Sequence, residues 1–128
     1  KSSRIASEGA IGIYSNESKT LILKINSETD FASKGETFLS FFDQIGKMLL
    51  EYKSNIHINT IMDQEFNDKK LSDYFTDIIA RIGENIVLSD IRIIDHPESK
   101  SSFYVHNHRL NRDNTAIFRK IQPTYSLW

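Results

Sequence analysis

The sequence predicts an α+β fold, with helices packed on one face of an antiparallel sheet. Three observations carry that class. Leu21, Leu23 and Ile25 alternate with Ile22, Lys24 and Asn26, giving a strand with one wholly apolar face. Two later segments change to the three-and-four spacing of amphipathic helices. The order strand, strand, helix, helix, strand, hairpin lacks the strict alternation that builds a parallel sheet.

Element by element, two β-rich runs between Ala10 and Ser27 flank the polar group Asn16-Glu17-Ser18, which reads as a hairpin with a short loop. Phe38, Phe41, Phe42, Ile45, Met48, Leu49 and Tyr52 mark the first helix. Ser33 and Glu36 have capping-box spacing, so that helix is expected to start near Lys34. Residues 54–70 are polar with scattered Ile and Met and read as a loop with at most a short helix. Leu71, Tyr74, Phe75, Ile78, Ile79 and Ile82 mark the second helix, which Gly83 is suited to stop. Ile86 to Asp95 is β-branched but carries Ser89, Asp90 and Arg92, the pattern of a strand exposed on one side. His96-Pro97 then ends the ladder. Phe103 to His106 and Ala116 to Ile121 are expected to form a second hairpin. A lone hairpin is marginal in water and needs cover.

Composition narrows the function classes. The 128 residues suit one ordinary domain, and 39% hydrophobic residues, with eight Phe and five Tyr, supply a core. Sixteen basic against seventeen acidic side chains leave a formal charge of -1, without the clustered positive excess expected of direct nucleic-acid or anionic-membrane binding. No apolar run approaches the roughly 20 residues that span a bilayer. The absence of cysteine removes disulfides, thiolate zinc and a cysteine nucleophile. Because the chain starts at Lys1 rather than Met, it is expected to be a processed or trimmed piece.

Chemistry-bearing motifs are few. The five glycines match neither a phosphate-binding loop nor a dinucleotide fingerprint, so no nucleotide cofactor is expected. His106 and His108, two apart on a strand, would share a face and could chelate a metal, but no third ligand is specified. No bound metal is expected, and no nucleophile-elbow sequence points to an enzyme. The unusual feature is Glu28-Thr29-Asp30-Phe31, set between an apolar strand and a helix. Asp30 could be a turn or cap residue with Phe31 a core anchor or staple. The sharper reading is a rigid acid-aromatic tip, whose ring can wedge into a partner and whose carboxylate can disturb a bound cation.

With those residues in view, the chain resembles the elongation factor Ts family, the guanine-nucleotide exchange factors of elongation factor Tu. Three blocks carry the resemblance. They are Glu8-Gly9-Ala10-Ile11-Gly12-Ile13-Tyr14 with Ile25-Asn26-Ser27-Glu28-Thr29-Asp30-Phe31-Ala32, then Ile82-Gly83-Glu84-Asn85-Ile86, then Tyr104-Val105-His106. Order and spacing agree over about residues 4–106. The chain departs from the pattern at Ser27, often a cysteine, and at Ser89 and Asp90, where bacterial relatives often carry two basic residues.

The resemblance implies a core-region fragment. An N-terminal subdomain would cover residues 1–98, and residues 99–128 would begin a truncated second subdomain. It implies a translation factor rather than an enzyme, acting by binding elongation factor Tu in its GDP and nucleotide-free forms and promoting GDP release at the partner's magnesium and phosphate site. Thr29, Asp30, Phe31, Ile82, Gly83 and His106 inherit the partner-contacting positions. The rival reading keeps the fold as a binding or assembly module without exchange. Richness in Ile, Asn, Lys and Ser, with the divergence, points to the mitochondrion, with a plastid-type organelle or the bacterial cytoplasm as alternatives.

Overall fold

The computed structural model describes residues 5–95 and 115–118, the last four as backbone. Strands β1 (Glu8–Ser15) and β2 (Lys19–Ser27) form the expected antiparallel hairpin, in a register that runs from Glu8 opposite Ser27 to Ser15 opposite Thr20. Asn16 makes the turn. Its side-chain oxygen accepts from the amides of Ser18 and Lys19, both at 2.9 Å, which is the local bonding that suits Asn to turns.

Two helices follow, α1 (Asp30–Lys34) and α2 (Glu36–Glu51). After a 3-10 turn at Ile61–Asp63, the short strands β3 (Glu65–Phe66) and β4 (Lys69–Lys70) pair across Asn67 and Asp68, both at positive φ. Helix α3 (Leu71–Ile82) then leads to β5 (Val87–Asp95), and β6 (Thr115–Phe118) closes the described chain. The main sheet has the order β5-β2-β1-β6, with every neighbouring pair antiparallel. This is the α+β class read from the sequence.

Strand register explains which face is buried. Ala10, Gly12 and Tyr14 stand opposite Ile25, Leu23 and Leu21, and these stand opposite Leu88, Ile91 and Ile93. A bulge at Ser89, where the register shifts between Lys24 and Ile25, lets both Leu88 and Ile91 face the helices although they are three residues apart. Leu21, Leu23 and Ile25 are fully buried under Phe38, Phe42, Ile45 and Leu49 of α2. Each such side chain contributes roughly 1.5–3 kcal/mol by leaving water. Phe75 of α3 meets Phe41 of α2 edge to face at 5.0 Å. On the other face Val87, Arg92 and Ile94 remain exposed, as expected of a strand wet on one side.

Tyr14 shows how closely α2 approaches the sheet. Its ring stacks on Phe42 with centroids 6.4 Å apart, and its hydroxyl donates to the Phe42 carbonyl at 3.4 Å. Burial, reinforced by the nearby Asp43 carboxylate, pushes the phenol far above its ordinary range. The other end of α2 is held by Lys19, whose ammonium donates to the Tyr52 carbonyl at 2.7 Å, where a cation complements the helix dipole.

One local expectation is corrected. The long helix starts at Glu36, close to Lys34 as expected, but not on a Ser33–Glu36 capping box. Gly35, extended at φ -78 and ψ 156, separates α1 from α2, and no side chain caps α2. Ser33 lies buried inside α1, its hydroxyl donating to the Asp30 carbonyl at 3.3 Å. Of the expected second hairpin, Phe103 to His106 lies outside the described residues, whereas Thr115–Phe118 is a strand paired with β1.

Gly46 yields a test. A Cβ there would sit 2.3 Å from the Tyr14 ring. Alanine ordinarily favours a helix interior by about 1 kcal/mol over glycine, so a clash that wins must exceed that gain. The ring is wedged against Phe42 and has little room, so Gly46→Ala is expected to cost about 1–2 kcal/mol net in urea denaturation. A midpoint at or above wild type would contradict this packing.

Candidate functional site

The strand β2 ends at Ser27, and the chain turns at once into α1. Ser27 is fully buried, and its hydroxyl donates to the Thr29 carbonyl at 2.8 Å. Thr29 is extended and acts as the N-cap of α1: its side-chain oxygen accepts from the Ala32 amide at 3.2 Å. Beyond the end of the β2 ladder, the Glu28 and Thr29 amides need other acceptors. One oxygen of the Glu84 carboxylate accepts from both, each at 3.1 Å. The other accepts the Thr29 hydroxyl at 2.6 Å. In return the Glu28 carboxylate accepts from the Asn85 amide at 2.7 Å. Hydrogen bonds to ionised acceptors are roughly twice as strong as neutral ones.

Glu84 reaches this corner because of the residue before it. Gly83 ends α3 in the left-handed region at φ 84, its amide donating to the Ile79 carbonyl at 2.7 Å. A single left-handed residue after a helix turns the chain aside, and glycine adopts it without a Cβ penalty.

The tip itself stands in solvent. Phe31 is 83% exposed, which rules out its reading as a core anchor or staple. The Asp30 side chain is 60% exposed and lies 3.5 Å from the Lys34 ammonium one turn on. An exposed pair of that kind contributes little, so the carboxylate remains available to another ligand. Asp30 at the start of α1 and Lys34 at its end also match the helix dipole.

The structure therefore brings five of the six expected site residues into one tethered region. Thr29, Asp30 and Phe31 form the corner. Ile82, half-buried at the end of α3, and Gly83, exposed, lie in the segment joined to it through Glu84. His106 lies outside the described residues, as do His96 and His108; His57 is an exposed loop residue. Among the described residues no group of three or more His, Asp or Glu could hold a metal ion. None of their helices is long and apolar enough to cross a membrane.

Sequence reading gave no role to Glu28, Glu84 and Asn85, although two of the quoted blocks contain them. No periodicity signals a tether between positions more than fifty residues apart. The available hint was an acidic residue directly after each of two chain reversals, at Ser27 and Gly83.

The Gly83 turn can be tested apart from crowding, because nothing lies within 4 Å of where its Cβ would stand. Gly83→Ala is expected to cost about 1–2 kcal/mol, purely from left-handed strain. Gly83→Asn, better suited to that conformation, is expected to recover most of the loss. Equal stability of all three proteins in denaturant titrations would contradict the assignment.

Comparison with known proteins matches this region and most of the chain. The family model described as Elongation factor TS matches residues 28–120. A mitochondrial elongation factor Ts of Heterostelium pallidum is 35% identical over 113 residues, which cover 81% of this chain and 32% of that protein. Elongation factor Ts of Campylobacter hominis is 36% identical over 110 residues, covering 84% and 31%, and that of Phytoplasma mali is 32% identical over 105 residues, covering 80% and 38%. The chain spans about a third of the length of these curated relatives. Taken with an antiparallel α+β core whose described residues carry the first two motif blocks in order, these matches show that the chain belongs to the elongation factor Ts family.

Proposed function

We propose that this chain binds elongation factor Tu, in its GDP-bound and nucleotide-free forms, and promotes GDP release by disturbing the partner's magnesium and phosphate site. The observation that supports it most is the exposed Phe31, held beside the exposed Asp30 carboxylate on a corner whose main-chain amides donate to the Glu84 carboxylate. Leaving a phenylalanine in water forgoes roughly 1.5–3 kcal/mol of burial, which a complementary pocket can recover. Because the corner is already ordered, docking loses less conformational entropy.

The two side chains suit different parts of the task. The ring displaces packed groups around the nucleotide, and the carboxylate competes for, or repels, the ligands of the cation. The chain acts by binding and makes no covalent bond, so it is an exchange factor rather than a hydrolase or transferase. Coupling between two ligands on one partner is reciprocal: a factor that weakens nucleotide binding is itself weakened by nucleotide. Accelerating release a thousandfold corresponds to about 4 kcal/mol.

In this proposal Ile82, Gly83 and His106 add to the partner-binding surface. Residues 1–98 serve as the N-terminal subdomain of the core, and residues 99–128 begin the second. The mitochondrion is the proposed compartment, supported by composition and by the mitochondrial relative; the other relatives named above are bacterial.

Release of a fluorescent GDP from the cognate elongation factor Tu tests the tip. Phe31→Ala and Asp30→Ala are each expected to slow the stimulated release about tenfold, the effect of a modest interface hot spot. Unchanged release from both variants would refute the proposal. A wild-type complex that forms without accelerating release would favour a binding or assembly module.

A further inference from the structure

We infer that Glu84 is the positioning residue of the Asp30–Phe31 tip, so that the turn after α3 sets how effectively the tip works. The inference rests on the exchange reading above and names a residue that acts through the tip rather than on the partner.

The bonds from Thr29 to Glu84 are exposed, and that from the Glu28 amide is only part-buried. Water can replace such bonds at small net loss, so their contribution to global stability is modest. What water cannot replace is direction. Two amides and one hydroxyl converge on a single carboxylate, which fixes the peptide planes at Glu28 and Thr29 from which α1 departs. The Glu28 carboxylate returns a bond to the Asn85 amide, so two tethers of opposite polarity join the segments and oppose a pivot about either one.

Thr29 transmits the constraint. Its single hydroxyl proton goes to Glu84 at 2.6 Å, which leaves a lone pair aimed at the Ala32 amide. Without Glu84 that proton can turn elsewhere and the cap loosens. Helix α1 has only five residues, too few to hold its own orientation without the cap. Phe31 is its second residue and follows whatever the cap does.

The test uses Glu84→Ala, Glu84→Gln and Glu84→Asp, each in the wild-type and Phe31→Ala backgrounds. It reads amide hydrogen exchange over residues 28–32, thermal midpoint and stimulated GDP release. Glu84→Ala is expected to deprotect those amides and slow release about tenfold, with only a small shift in midpoint. Glu84→Gln keeps an acceptor for both amides and can donate to the Thr29 oxygen, so it should restore most of the activity. Glu84→Asp, one methylene short, should not.

In the Phe31→Ala background, Glu84→Ala should cost clearly less than its own tenfold, because only the part exerted through Asp30 is left to lose, the non-additivity of residues that act as a unit. Normal release by Glu84→Ala while Phe31→Ala is impaired overturns the inference alone, and so do fully multiplicative losses. Normal release by both single variants, with the amides nevertheless deprotected, overturns the exchange reading and the inference with it.

Discussion

Where β2 runs out, two main-chain amides point away from the sheet and a carboxylate from beyond α3 accepts both. That tether between Glu84 and the Glu28-Thr29 peptide joins the two halves of the described chain at the position where the tip begins. On one side of it lies a strand anchored by Leu21, Leu23 and Ile25 beneath α2. On the other lies a five-residue helix that carries Phe31 into solvent. The anchored strand gives the corner a fixed origin, and the tether gives it a fixed direction.

The two regions are stabilised by different physics. The core depends on shape: Gly46 clears space for the Tyr14 ring, and Gly12 does the same for Phe42, so α2 lies close over the sheet. Such packing is sensitive to one methyl group. The corner depends on polar geometry in contact with water, where individual bonds are weak but several together define one conformation. A surface built to bind needs the second kind of order, because an apolar group buried inside its own molecule cannot be offered to another.

Much of this was legible in the sequence because short-range pattern dictates it. Alternation located β2, the three-and-four stripes located α2 and α3, and Gly83 marked the end of α3. The Ser33–Glu36 spacing misled because Ser33 is buried inside α1, its hydroxyl turned back to the Asp30 carbonyl, and Gly35 separates it from α2; the side-chain cap falls on α1, from Thr29. The β3–β4 hairpin escaped because its strands have two residues each, although adjacent Asn67 and Asp68 are a known signal for a turn with positive φ. The role of Glu84 was illegible for a different reason: it arises from a contact that only the folded chain creates.

The proposed exchange role turns on where Phe31 would lie in a complex with elongation factor Tu. Incorporating p-benzoylphenylalanine in place of Phe31 and irradiating the complex would report that directly. The predicted result is a cross-link to the nucleotide-binding domain of elongation factor Tu, mapping beside its magnesium and phosphate site and suppressed by excess GDP with magnesium. A stable complex that gives no cross-link from this position, or one to a distant domain that GDP leaves untouched, would contradict it.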